Sequence, residues 1–325
     1  MAYGNQEIWR SASVHAHERA RQMLHEGAAF DRVMSTLAGL RGQAARDQRT
    51  EHADEFGAPR RTAEENLARQ FADEEDRDAA RSAYSDDELT IRYGARTGMG
   101  ERYRGEGIRS REAAEGRADE AGEDFRAERQ PSRLLDTPGV PTLMGDEQDM
   151  LTGLRTMGHT DDGRIALTAS VFTTPAEAGE SGVEGFWIHT PAQSIPQIMV
   201  HVARLHEQML TAPPGTAVLA RIAWWLSHAM AYERGSASIT EWYVGAALAH
   251  MGHDAQAMPR GLDLVAFRMT EDAFVAWFMQ QVAPVPVAPQ ASNQTDSQPL
   301  EPSTSSLMAL GRRHPDASSS SASGL

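Results

Sequence analysis

The chain has 325 residues, 31 basic against 46 acidic for a net charge of −15, and no cysteine. That length holds one or two domains, and the acidic balance makes nucleic acid a poor partner. Absent cysteine excludes disulfides, thiolate metal sites and a cysteine nucleophile. Every basic residue is an arginine and there is no lysine. Two readings stand: arginine drift in a GC-rich genome, or escape from lysine modification, to which arginine is immune.

From the N-terminus, residues 5–48 carry few large apolar residues, but Phe30, Val33, Met34 and Leu37 repeat at helical spacing. An amphipathic helix is therefore expected over Asp31 to Leu40. Residues 49–130 are dense in charge of both signs and poor in apolar side chains. The whole of 1–130 is therefore expected to be mostly disordered, with short helices at best. Pro131, Pro138 and Pro141 mark a linker over 131–145. Five of the six tryptophans lie between 187 and 277, which places the core in 146–283.

Inside that core, Glu147 to Met157 is read as a helix, with Met150, Leu151 and Leu154 on one side. Arg164 to Thr173 and Gly185 to His189 alternate as strands around a loop, which predicts a β-hairpin. Ile195, Ile198, Met199, Val202, Leu205 and Met209 then give a clean helical period. Two further helical runs lie within Ala217 to Asp254, joined by Glu233-Arg-Gly-Ser-Ala237. The second is predicted to start at Ser238 through a capping box with Glu241. A last helix begins at Thr270. Residues 284–325 are rich in Ser and Pro and are expected to be a disordered tail.

The order of hairpin, helices and a small-residue loop at a helix N-terminus resembles the Fic/Doc (Fido) superfamily, whose motif is HPFxxGNGR. Tyr232 stands at the Phe place, Glu233 and Arg234 at the variable pair and Gly235 at the first glycine. Ser236 takes the Asn place and Ala237 the second glycine. Gly252-His253 falls at the distance of the closing Gly-Tyr. Met230 occupies the place of the catalytic histidine and Ala231 that of the proline. Ser238 and Glu241 occupy the places of the two motif arginines. Plant-pathogen type III effectors of the AvrB-like kind keep this fold without the motif, and the chain looks like that group. The resemblance implies a mainly α fold, a Fic/Fido-like helical core with a β-hairpin flap between disordered arms.

The resemblance also implies a nucleotide such as ATP with Mg, transferred to a hydroxyl of a host protein target. The phosphates would rest on Arg234, Gly235, Ser236, Ala237 and Ser238, since free amides and a helix dipole favour anions and a guanidinium holds phosphate through paired donors. With methionine at position 230, His228 is the substitute base and Glu233 a second proton acceptor. The bland readings are a helix-end histidine for His228 and solvated loop residues for the rest. His189 and Thr190, at the flap exit, are candidates for contacting a target segment by strand addition. No third ligand joins the pairs His201/His206 and His250/His253, so no metal site is expected.

There is no run of ~18 apolar residues, and the N-terminus lacks the apolar stretch of a Sec signal. The expectation is a protein secreted without a Sec signal peptide into a host cytosol, with no membrane span and with a secretion chaperone at its N-terminus. The alternatives are an inactive Fido-fold scaffold that binds a host protein and a plain helical interaction domain.

Overall fold

The computed structural model describes residues 6–83, 96–98, 124–131, 150–172, 185–211, 215–254, 258 and 261–282. It is mainly helical with one small antiparallel sheet. Nine helices lie among the described residues. They are α1 (Gln6–His25), α2 (Phe30–Asp47), α3 (Ala63–Gln70), α4 (Glu74–Ala83), α5 (Ile195–Thr211), α6 (Thr216–Ala229), α7 (Ser236–His250), α8 (Leu262–Ala266) and α9 (Glu271–Gln281). The strands are β1 (Arg96–Gly98), β2 (Phe125–Pro131), β3 (Met150–Thr160), β4 (Gly163–Phe172) and β5 (Gly185–Ile188), in the order β1-β5-β4-β3-β2. None of these helices is long and apolar enough to cross a membrane.

Helix α6 is the hub. Leu219, Ala220, Ile222, Ala223, Trp224, Trp225 and Ala229 have no exposed surface, so most of the helix is covered, with Ala217, Val218 and Arg221 partly exposed. The covering elements are α5, α7, α8, α9 and strand β4. Helix α9 starts where the sequence indicates, with the Thr270 side chain accepting the Ala273 amide at 3.2 Å. The flap is present as the antiparallel pair β4–β5, with Ala169 opposite Ile188 and Phe172 opposite Gly185.

Three expectations are corrected. Residues 150–157 are not helical but form most of β3, which folds back on β4 through Asp161-Asp162 with Thr160 opposite Gly163. Met150, Leu151 and Leu154 fit either period, and the decisive signal is the tight acidic turn before Gly163. Next, α7 begins at Ser236, so the capping box from Ser238 to Glu241 does not form. The Ser236 hydroxyl instead donates to the Tyr232 carbonyl and accepts from the Tyr232 amide, both at 3.0 Å, which closes the loop two residues early.

The third correction concerns the N-terminal arm. Phe30, Val33, Met34 and Leu37 do face inward as their spacing indicates, but α1 and α2 are full members of the core. Alanine does the work that a count of large apolar residues overlooks: Ala16, Ala20 and Ala45 are completely buried and let the helices approach closely. Within the charged tract, α3 is closed by a capping box of Thr62 and Glu65, and Arg81 on α4 ties Glu64, Glu74 and Asp78 together. Residues 132–145 of the linker and the 284–325 tail lie outside the described residues.

Because Ala20 has no exposed surface, Ala20→Leu should overpack the α1 seam and cost about 1–3 kcal/mol in urea unfolding. A cost within about 0.5 kcal/mol, the range of ordinary surface changes, would mean that α1 is an arm after all.

Candidate functional site

The loop from Met230 to Gly235 joins α6 to α7. Met230 ends α6 in the left-handed region, at φ 42° and ψ 52°. Gly235 is the N-cap of α7 with φ 85°, a conformation glycine adopts without strain. Residues 55–61 lie along this loop. The Arg234 amide donates to the Glu55 carbonyl at 3.2 Å, the Gly57 amide to the Arg234 carbonyl at 3.1 Å, and the Glu233 amide to the Ala58 carbonyl at 2.9 Å. The Arg60 amide reaches the Ala231 carbonyl at 2.9 Å. Gly57, at φ 76°, packs its backbone against that of Ala38, leaving no room for a β-carbon.

These contacts decide the state of the loop side chains. Arg234 Nε donates to Glu55 Oε2 at 2.8 Å, and that bond holds the Glu55 carboxyl below its usual range. Glu233 Oε1 accepts the Arg61 amide at 2.7 Å and lies 3.4 Å from Arg61 Nη1. Both carboxylates are thus engaged by residues of the facing segment or loop, Glu55 by Arg234 and Glu233 by Arg61. Ser236 is buried, while Ala237 and Ser238 sit half-buried in the first turn of α7. The first amides of a helix have no partner within it, and the dipole there favours negative charge.

Two cations at the loop come from far upstream and went unread in the sequence. Arg41 lies against Gly235, its Nε 2.9 Å from where a β-carbon would stand. Its guanidinium is stacked over Trp9 at 3.9 Å and Phe56 at 4.7 Å. Burial lowers its pKa to about 10, so it stays charged at neutral pH, and Nε and Nη1 have no acceptor. Arg60 is 9 % exposed. Its Nη2 donates to the Thr190 carbonyl at the flap exit, and its buried Nη1 has no acceptor. Its pKa is also pushed down by burial, to about 10. Neither arginine carries a local signature, since each is one of many in a tract that reads as solvated.

His228 is not at the loop. Its ring is wholly buried, 4.5 Å from Trp224 and 5.5 Å from Phe267 between ring centroids, with Nε2 3.2 Å from the Ala266 carbonyl. Desolvation pushes its pKa down to about 3. The role of base assigned to His228 is corrected to that of a neutral packing residue, because its position on α6 faces α8 rather than solvent. What His228 presents to the flap is its carbonyl, which accepts from Thr190 Oγ1 at 2.7 Å and Thr168 Oγ1 at 3.5 Å. His189, also buried, stacks near Phe267 at 6.0 Å, and burial followed by the charge of Arg60 drives it to about 3. The loop thus has Arg41 against Gly235 and Arg60 between Ala231 and Thr190, each buried with a guanidinium nitrogen that has no acceptor.

His189 and His228 have folded pKa values near 3, well below the ordinary 6.5. The sign follows from that direction: the unfolded chain takes up protons first, so stability is complete above about pH 6.5 and falls toward pH 3. Each histidine should remove about 2 kcal/mol between pH 7 and pH 5. Urea unfolding at the two pH values tests this, and His228→Gln should abolish that residue's share of the loss.

Residues 180–282 match the family model described as AvrB_AvrC, avirulence protein. The match spans 103 of the 325 residues, from just before β5 through α9. No curated protein matches the chain. Over this third of its length the chain is similar to AvrB-like avirulence proteins, which indicates a bacterial effector.

Proposed function

We propose that the protein is an effector delivered into host cells, where it acts on a host protein through the corner between the flap exit and the 230–235 loop. The ligand of that corner is the phosphate portion of a nucleotide such as ATP with Mg, and the reaction class is transfer to a side-chain hydroxyl. The observation that carries this reading is Arg60, a guanidinium that is nine-tenths buried and still has an Nη1 without an acceptor. A buried charge left incompletely bonded is costly, and an anion against Thr190 and Ala231 would complete it. Arg41 and the first-turn amides of Ser236, Ala237 and Ser238 extend the same positive surface, with Arg234 at its exposed rim. The nucleotide, when bound, supplies the electrophile; the residues named here bind and orient its phosphates.

One observation favours a second reading, an inactive scaffold that binds a host protein. Among the described residues at the loop, no side chain is placed to take a proton. Met230 stands where the Fic histidine would, His228 faces α8, and Glu233 is held by Arg61.

Calorimetry of the full chain with ATP plus Mg, and separately with inorganic phosphate, tests the ligand. Saturable heat is expected, and Arg60→Gln should weaken binding about tenfold to a hundredfold, the worth of one charge-assisted contact. Arg41→Gln serves if Arg60→Gln does not fold. No heat at millimolar ligand would overturn the nucleotide reading. Labelled ATP in a host lysate then separates transfer from scaffolding: label on a protein supports the enzyme, and binding without label supports the scaffold.

A further inference from the structure

The helical hairpin of α1 and α2 lies outside the matched residues 180–282 and is docked on α5 and α7. Its seam holds His206, His17 and the pair His25 and His250, each placed where a charged ring is poorly accommodated. His206 of α5 is 1 % exposed. Its Nε2 lies 2.9 Å from the Ala28 carbonyl in the α1–α2 turn, and Nδ1 lies 2.7 Å from the Tyr243 hydroxyl of α7. A carbonyl only accepts, so Nε2 carries the proton and Nδ1 accepts from the tyrosine. A second proton on that ring would remove the acceptor from a hydroxyl that is itself fully buried.

On α1, His17 wedges against α7. Its Nε2 stands 2.7 Å from where a β-carbon of Gly245 would be, buried and without a partner, while the ring also bonds the Glu241 backbone. A proton on Nε2 would sit against helix backbone with no acceptor. At the far end, the rings of His25 on α1 and His250 on α7 meet edge-on at 6.3 Å, so two charged forms would repel.

The ionisable groups around the seam do little to favour the charged rings. Glu207 on α5 pulls His206 up but ranks behind desolvation, and His25 pushes His250 down. Arg41 reaches in from α2, 6.0 Å from the Trp242 ring. Arg21 stands one turn beyond His17 on α1. Glu241 on α7 meets His17 through its carbonyl, and Tyr243 keeps its proton because burial raises it.

We propose that the docking of the α1–α2 hairpin is proton-controlled, so that mild acid releases it from α5 and α7 while the α6-centred core still stands. Release would uncover Trp242, which bonds Ser13 of α1, and Tyr243, which meets Phe30 of α2.

Hydrogen exchange of the full chain at pH 7.5, 6.5 and 5.5, corrected for intrinsic rates, is the test. Amides of α1 should exchange through an opening that α6 amides do not share, so that α1 protection stays below that of α6. It should fall up to about tenfold per pH unit for each seam histidine that titrates, while α6 protection also declines as His189 and His228 titrate. His17→Leu, which cannot charge, should restore about tenfold of α1 protection at pH 5.5. If that variant does not fold, His250→Gln should give a smaller restoration in the same direction. One common opening free energy for α1 and α6 amides at every pH would overturn the proposal, because the hairpin and the core would then open in a single transition. Unchanged α1 protection, or an unchanged pH dependence in the variants, would overturn it as well.

Discussion

The near-complete burial of α6 is the constraint from which most of the structure follows. A helix covered around most of its circumference needs several partners, and all but β4 come from within the matched residues 180–282. Helices α5, α7, α8 and α9 with strand β4 provide most of the cover, and the wide flat rings of Trp224 and Trp225 meet each other edge-on at 5.2 Å. Burial also determines the chemistry of polar groups on the helix. Ser227 bonds back to the Ala223 carbonyl at 2.7 Å. His228 stays neutral, and its carbonyl at the helix end is satisfied by two threonine hydroxyls from the flap side. The flap exit is held in place by the same bonds.

Much of the core is readable because its helices have strong periods. The apolar stripes of α5 and α9 and the Phe30 to Leu37 stripe of α2 are set by spacing alone, and the β4–β5 pair by alternation. Apart from β3, whose local turn signal is outweighed by an ambiguous period, the failures concern residues whose role depends on distant partners. Small residues of α1 look uninformative until a second helix lies within reach of their backbone. Ser238 with Glu241 satisfies a local capping rule, but Ser236 is already committed to Tyr232, so the helix starts earlier. His228 sits two residues from the loop in sequence, yet one helical turn directs its ring to α8.

Loop 230–235 shows why a motif comparison reaches only part of a site. The alignment of small residues at Gly235, Ser236 and Ala237 brings attention to the correct helix start. It is silent about Arg41 and Arg60, which enter from segments far upstream and lie against Gly235 and Thr190. Lysine would be a poor replacement at either place. Arg41 uses its planar face against Trp9, and Arg60 uses the fork of its guanidinium to hold Thr190 with one nitrogen and keep another available.

The strap of residues 55–61 on the 230–234 loop also bears on how the chain assembles. These pairings join points separated by roughly 175 residues, and loop closure over such lengths is costly and slow to nucleate. A ribosome releasing the chain, or any conduit passing it N-terminus first, presents α1, α2 and the strap long before α6 and α7 exist to receive them. The N-terminal helices, too alanine-rich to bury a core of their own, must wait. The strap can therefore complete its bonds only once the 230–234 loop, about 175 residues later, has been made.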